Sequence, residues 1–213
     1  MLLGARQFFE RRGAPTPPLP YDAEVEYLRR NNGTGIAVYT GVYISDDNFV
    51  IECDCKIDSV AVPWVGPFST YRNEQTESTR VLVFFSYLDR CYAGYRRMSS
   101  NQSILNNIAW KERNLFRLEK RKLTITPHGG ISYEYTIDAP SSTVDGGLEM
   151  MVAGVSCDIY YYGFKILHDG VPVLDYIPVR KGSVGYFFDT VSGTLVGIDS
   201  GASDQFIVGP DKS

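Results

Sequence analysis

Cysteine is scarce in this chain, with four among 213 residues, and only Cys53 and Cys55 stand close together. Two positions apart in an extended run they point the same way, at a spacing that disfavours a mutual bond, and Cys91 and Cys157 are isolated. All four are expected to be reduced and packed, which excludes a disulfide scaffold. Histidine is rarer still, and neither His128 nor His168 lies near a cysteine pair at ligand spacing, so no zinc motif is present. No apolar run reaches the length of about eighteen residues that a transmembrane helix requires. Met1-Leu2-Leu3 is broken at once by Gly4 and Arg6, which does not fit a signal peptide. The net charge of −4 is too mild for a dedicated nucleic-acid binder. Gly182-Ser183-Val184-Gly185 opens no helix and so cradles no phosphate, and Gly154-Val155-Ser156-Cys157-Asp158 lacks the closing glycine of a nucleophile elbow. No cofactor and no metal is expected.

What the chain does have is alternation and turns. Hydrophobic residues make up 44% of it, which fits one all-β domain over residues 21–213 behind a tail and proline-rich linker, residues 1–20. From Ala23 the sequence reads as strands: AEVEYLRR, IAVYTGVYI and FVIECDCKIDSVAV, separated by Asn31-Asn32-Gly33 and by Ser45-Asp46-Asp47-Asn48. A long loop, PWVGPFSTYRNEQTEST, follows, and RVLVFFSYL resumes a strand. Residues 114–137 read as strand, loop and strand, with Pro127 to Gly130 as the loop. Nine Lys/Arg face three Asp/Glu between Asp89 and Lys122, against four and eleven over residues 123–213. That asymmetry fits two solvated faces, or complementary contact between copies in an assembly.

The densest turn chemistry lies between Tyr160 and Gly197. Asp169-Gly170 tolerates positive φ at both positions, so Ile159–His168 and Val171–Val179 are expected to pair as an antiparallel hairpin. By the two-residue period Tyr160, Tyr162, Phe164 and Ile166 share one face, expected to be buried against a second sheet. The stretch FKILHDGVPVLDYIPVRKGSVGYFFDTVSGTLVG resembles the C-terminal signature of concanavalin A-like lectin/glucanase sandwich proteins of phages and prophages of gut Bacteroides-like bacteria, and LPYDAEVEYL with the following Gly-Thr and Thr-Gly pairs resembles their first strands. That group usually carries an acidic residue before the Thr-Gly pair, whereas Tyr39 stands there in this chain. The resemblance implies an all-β, antiparallel two-sheet β-sandwich, a concanavalin A-like jelly roll with a short N-terminal tail. It also implies a virion surface protein of fibre or decoration type, a homo-oligomer without membrane insertion that contacts other virion proteins and binds host glycans.

Glucanases of that class carry carboxylates at alternating strand positions, nucleophile and acid/base about 5 Å apart. Here Glu52 and Asp54 share a face, but Lys56 stands where a third acid belongs and Asp58 comes two residues late. A polar outer face explains the same residues, and the chain is expected not to be an enzyme. Asp46-Asp47-Asn48 fits either a type I turn or a calcium contact. The aromatic share of 13%, with 15 tyrosines, exceeds what a core needs and suits sugar stacking or a protein interface. The candidate glycan site is the long loop: Trp64 or Tyr71 as the platform, Arg72 and Asn73 as donors and acceptors. In the tail, Phe8 and Phe9 are expected to insert into a neighbouring subunit while Arg11 and Arg12 meet its acidic groups.

Overall fold

The computed structural model describes residues 18–30, 38–58, 65–70, 82–86, 90–95, 111–120, 122–137, 146–149, 158–197 and 206–213. Among them are sixteen strands and no helix. In chain order these are β1 (Ala23–Glu24), β2 (Leu28–Arg29), β3 (Tyr39–Ile44), β4 (Phe49–Ile57), β5 (Val65–Thr70), β6 (Leu82–Ser86), β7 (Arg90–Gly94) and β8 (Asn114–Glu119). There follow β9 (Lys122–Pro127), β10 (Tyr133–Thr136), β11 (Gly146–Glu149), β12 (Ile159–His168), β13 (Val171–Lys181), β14 (Val184–Asp189), β15 (Thr194–Val196) and β16 (Ile207–Val208). All pair antiparallel, in two sheets. The larger has eleven strands, with the path β10-β9-β8-β4-β12-β13-β14-β15 and β1, β2 and β16 attached beside it; the smaller runs β3-β11-β5-β6-β7.

The Asp169-Gly170 hairpin forms as its residues demand. Asp169 and Gly170 take φ of 50° and 77°, the mirror-image turn whose twist matches the flanking strands. The expected burial of Tyr160 and Tyr162 does not hold. β12 pairs with β4 in continuous register from Ile159 to Tyr161 and again from Gly163 to His168, and the shift between Tyr161 and Gly163 is a β-bulge. One extra residue flips the alternation. Ile159, Tyr161, Phe164 and Ile166 are therefore buried, while Tyr160 and Tyr162 belong to the opposite face with Lys56 and Asp54.

Two further readings are corrected. The long loop is interrupted by β5, paired with both β6 and β11. Pro67 carries no N–H for the ladder, and the register shifts between Val65 and Phe68, where a proline is tolerated. Residues 114–136 hold three strands rather than two, because the chain also reverses between Glu119 and Lys122, which face each other in register.

β4 shows the clearest division of faces. Phe49, Ile51, Cys53, Cys55 and Ile57 are buried, and Val50, Glu52, Asp54 and Lys56 alternate with them on the other side. Cys53 and Cys55 are free thiols, and burial first of all pushes Cys53 well above the ordinary thiol range. The core takes Phe116, Leu118, Leu123 and Ile125 from β8 and β9, and Tyr161, Phe164, Tyr176 and Phe187 from the C-terminal strands. Ile44, Phe68 and Ala93 join it from the smaller sheet. Phe68 meets Phe164 edge-on at 5.9 Å, the Tyr161 hydroxyl donates to the Pro67 carbonyl at 3.1 Å, and the Tyr95 hydroxyl donates to the Phe49 carbonyl at 2.9 Å. Each large side chain buried this way stabilises the fold by roughly 1.5–3 kcal/mol. Chain ends close the larger sheet: β2 pairs with both β12 and β16, and Arg180 forks onto Asp211 with both bonds at 2.6 Å.

Candidate ligand-binding face

The expected glycan residues Trp64, Tyr71, Arg72 and Asn73 lie outside the described residues, on either side of β5, and so do Phe8, Phe9, Arg11 and Arg12 of the tail. What the structure does place is the solvent face of the larger sheet, where alternation leaves mostly polar and aromatic side chains above β4, β8 and β12.

Three groups of side chains cross that face. In the first, register brings Glu134, Thr124, Arg117, Glu52, Lys165 and Asp175 into one line perpendicular to six strands. Charges of opposite sign bond along it: Arg117 to Glu52, Arg117 to Glu119 at 3.5 Å, and Lys165 to Asp175 at 3.0 Å. Lys122 joins from the flank, 2.9 Å from Glu119 and 3.4 Å from Glu134. The hydrogen bond that Lys122 donates to Glu119, with the charge of that carboxylate, holds the ammonium above the ordinary lysine range. Solvent screens exposed pairs of this kind, so they add little to stability. Their consequence is neutrality.

On the other flank Tyr160 sits between Lys56 and Arg29 in register, with Lys56 Nζ 5.0 Å and Arg29 Cζ 5.5 Å from its ring centre. Both cations also meet carboxylates, Lys56 with Asp58 at 3.3 Å and Arg29 with Asp158 at 3.5 Å.

Between these flanks lies a different arrangement. Arg113 Nε and Nη2 donate to the two oxygens of Asp54 at 2.9 and 2.6 Å, and the guanidinium lies over the Tyr162 ring at 4.1 Å. Bidentate pairing and stacking together fix the plane of the group. Tyr27 meets Tyr162 and Tyr160 edge-on, at 5.8 and 5.0 Å between ring centres. Among the described residues, Arg113 Nη1 and the Tyr27 and Tyr162 hydroxyls make no hydrogen bond, and 37% of the Arg113 side chain remains exposed. Asp54, through its hydrogen bond first, raises Arg113 above its ordinary range. Burial raises the Tyr162 phenol, Arg113 opposes it, and the charges of Tyr27, Asp54 and Glu26 add to the rise. Tyr162 is thus a neutral hydroxyl at physiological pH, and Glu26 lies close enough to act on both groups.

The carboxylates Glu52 and Asp54, which share a face as expected, are each engaged by an arginine. Asp46 closes its turn by accepting from the Asn48 N–H at 2.8 Å and lies 3.0 Å from His168 Nε2, which stacks on Phe49. Among the described residues no group of three His, Cys, Asp or Glu could hold a metal ion. Sequence reasoning did not single out Tyr27 or Arg113 and expected Tyr162 inside. Arg113 and Asp54 meet through the pairing of β4 with β8, and Tyr162 joins them through the bulge. No family model matches this chain, and no curated protein matches it either.

Proposed function

We propose that this protein is a non-catalytic, lectin-like β-sandwich of the concanavalin A type, carried on the surface of a phage or prophage virion, and that it binds host glycans through the solvent face of its larger sheet. The observation that carries the binding part is the Arg113–Tyr162 stack locked by Asp54, with one guanidinium nitrogen and two tyrosine hydroxyls left to hydrogen-bond. An aromatic surface with a few fixed, convergent polar groups is what holds a polyhydroxylated ring. A sandwich arrangement is supported by the core that both sheets share through Phe68, Phe164 and Tyr161. Engagement of Glu52 and Asp54 by arginines supports binding without hydrolysis. The virion setting rests on the resemblance of the C-terminal hairpins, and the tail with Phe8, Phe9, Arg11 and Arg12 is its proposed anchor to sister copies or other virion proteins. The loop residues Trp64, Tyr71, Arg72 and Asn73 remain a proposed extension of the site.

A glycan array probed with the labelled full chain tests the sugar reading: binding is expected, and it should fall with Tyr162→Ala while the fold persists by circular dichroism. Silence of the wild-type protein across the array would reject it. The second reading, a structural assembly protein without a sugar ligand, is favoured by Tyr39 and Tyr43, which stand 47% and 53% exposed on β3, the edge strand of the smaller sheet. Deleting residues 1–18 should abolish assembly without unfolding the chain; unchanged assembly would remove the tail from either account.

A further inference from the structure

The geometry points to a neutral sugar, and against uronic or sialic acids, as the ligand of the Tyr27–Arg113–Tyr162 site; this rests on the glycan reading above. The reasoning begins with charge. Among the described residues Arg113 is the one cation between the two flanks, and Asp54 already takes both of the donors it directs inward. Glu26 adds a further negative charge within electrostatic reach of Arg113 and Tyr162. The cations on either side are equally committed: Arg117 to Glu52, Lys165 to Asp175, Lys56 to Asp58 and Arg29 to Asp158. A ligand carboxylate would have to displace one of these internal partners or lie beside it, and like charges brought together across an interface are strongly disfavoured.

What remains unspent is hydrogen-bonding capacity without net positive charge. Arg113 Nη1 offers two N–H donors in a fixed plane, and each tyrosine hydroxyl both donates and accepts. Sugar hydroxyls, which also do both, fit that set. Gly163 faces Asp54 in register and contributes no side chain, so the floor beside the stack is low. Leu115, the other cross-strand neighbour of Asp54, is 37% exposed and gives that floor an apolar patch for the C–H face of a ring. The site therefore combines an apolar floor, neutral hydroxyls and a neutralised guanidinium.

The test uses matched probes that differ only in charge: methyl glycosides of glucose, galactose and mannose against those of glucuronic, galacturonic and mannuronic acid, presented to the full chain in saturation-transfer NMR at low salt. At least one neutral glycoside should give signal and its acid counterpart should bind at least about 10-fold more weakly. Tyr162→Phe, which removes only the hydroxyl, and Arg113→Lys, which keeps the charge but loses the planar donor edge, should each weaken the neutral probe by about 10-fold, as expected for lost hydrogen bonds at a charged site. Amide spectra of both variants report whether the fold is intact. Equal or stronger binding of the acids would overturn the inference and leave the glycan reading standing. Neutral binding that both folded variants retain would place the sugar elsewhere and overturn the site. Silence from all six probes would overturn both.

Discussion

Gly185 is a tightly enclosed position in the fold. It lies in β14 opposite Arg180, and a methyl group built on it would sit 2.5 Å from Leu28 Cδ2, 3.1 Å from Phe206 Cβ and 3.2 Å from Val208 Cγ2. Leu28 is fully buried and Phe206 is 4% exposed, so neither has open space to move into. Overpacking of this kind costs about 1–3 kcal/mol, and Gly185→Ala is expected in that range. Because the nearest atom is the end of the Leu28 side chain, trimming that residue should relieve the clash. Leu28→Ala alone should cost about 2–5 kcal/mol through lost burial and a cavity. In the double variant the new methyl partly fills the cavity, so the two losses should fall short of their sum by at least about 1 kcal/mol, the signature of directly coupled positions. Urea unfolding of the four proteins, followed by tryptophan and tyrosine fluorescence with m values compared, measures each difference. A Gly185→Ala protein within about 0.5 kcal/mol of the parent, or strict additivity in the cycle, would show that the terminal strands do not seal against β14 as described.

Two other outcomes follow from buried tyrosines. Burial first, and then the charge of Asp189, raises Tyr176 to about 12 from an ordinary value of 10. A raised value means that the folded state holds its proton more tightly, so this contribution to stability is complete below pH 10 and is lost as pH rises toward 12. Urea midpoints between pH 9 and 12 should therefore decline less steeply in Tyr176→Phe than in the parent, and indistinguishable slopes would contradict the assignment. Tyr161→Phe removes the donor that reaches the Pro67 carbonyl across the core, and should lower stability by about 0.5–1.5 kcal/mol with the larger sheet unchanged in its amide spectrum; a neutral substitution would mean that this bond does not tie the two sheets.

The sequence by itself determined those features whose causes are local. Asp169-Gly170 sets its hairpin because few residue pairs accept two positive φ values in succession, and the side chains of β4 divide between faces because a strand has a period of two. Hence Cys53 and Cys55 were readable as buried neighbours, and Glu52 and Asp54 as sharing the opposite face. Only the tertiary structure decided the rest. The bulge in β12 is a compromise between two registers against β4, and nothing in Tyr160-Tyr161-Tyr162-Gly163 announces which tyrosine turns inward. The sequence around Glu119 to Lys122 carries no glycine, proline or asparagine, so the signal for the reversal lies in the pairing of Glu119 with Lys122. β5 was hidden by its proline, which a bulge accommodates once β6 and β11 are in place on either side. The proposed binding face gathers Tyr27, Asp54, Arg113 and Tyr162 from four distant parts of the chain, and such convergence depends on strand order and cross-strand register, which no local residue pattern encodes.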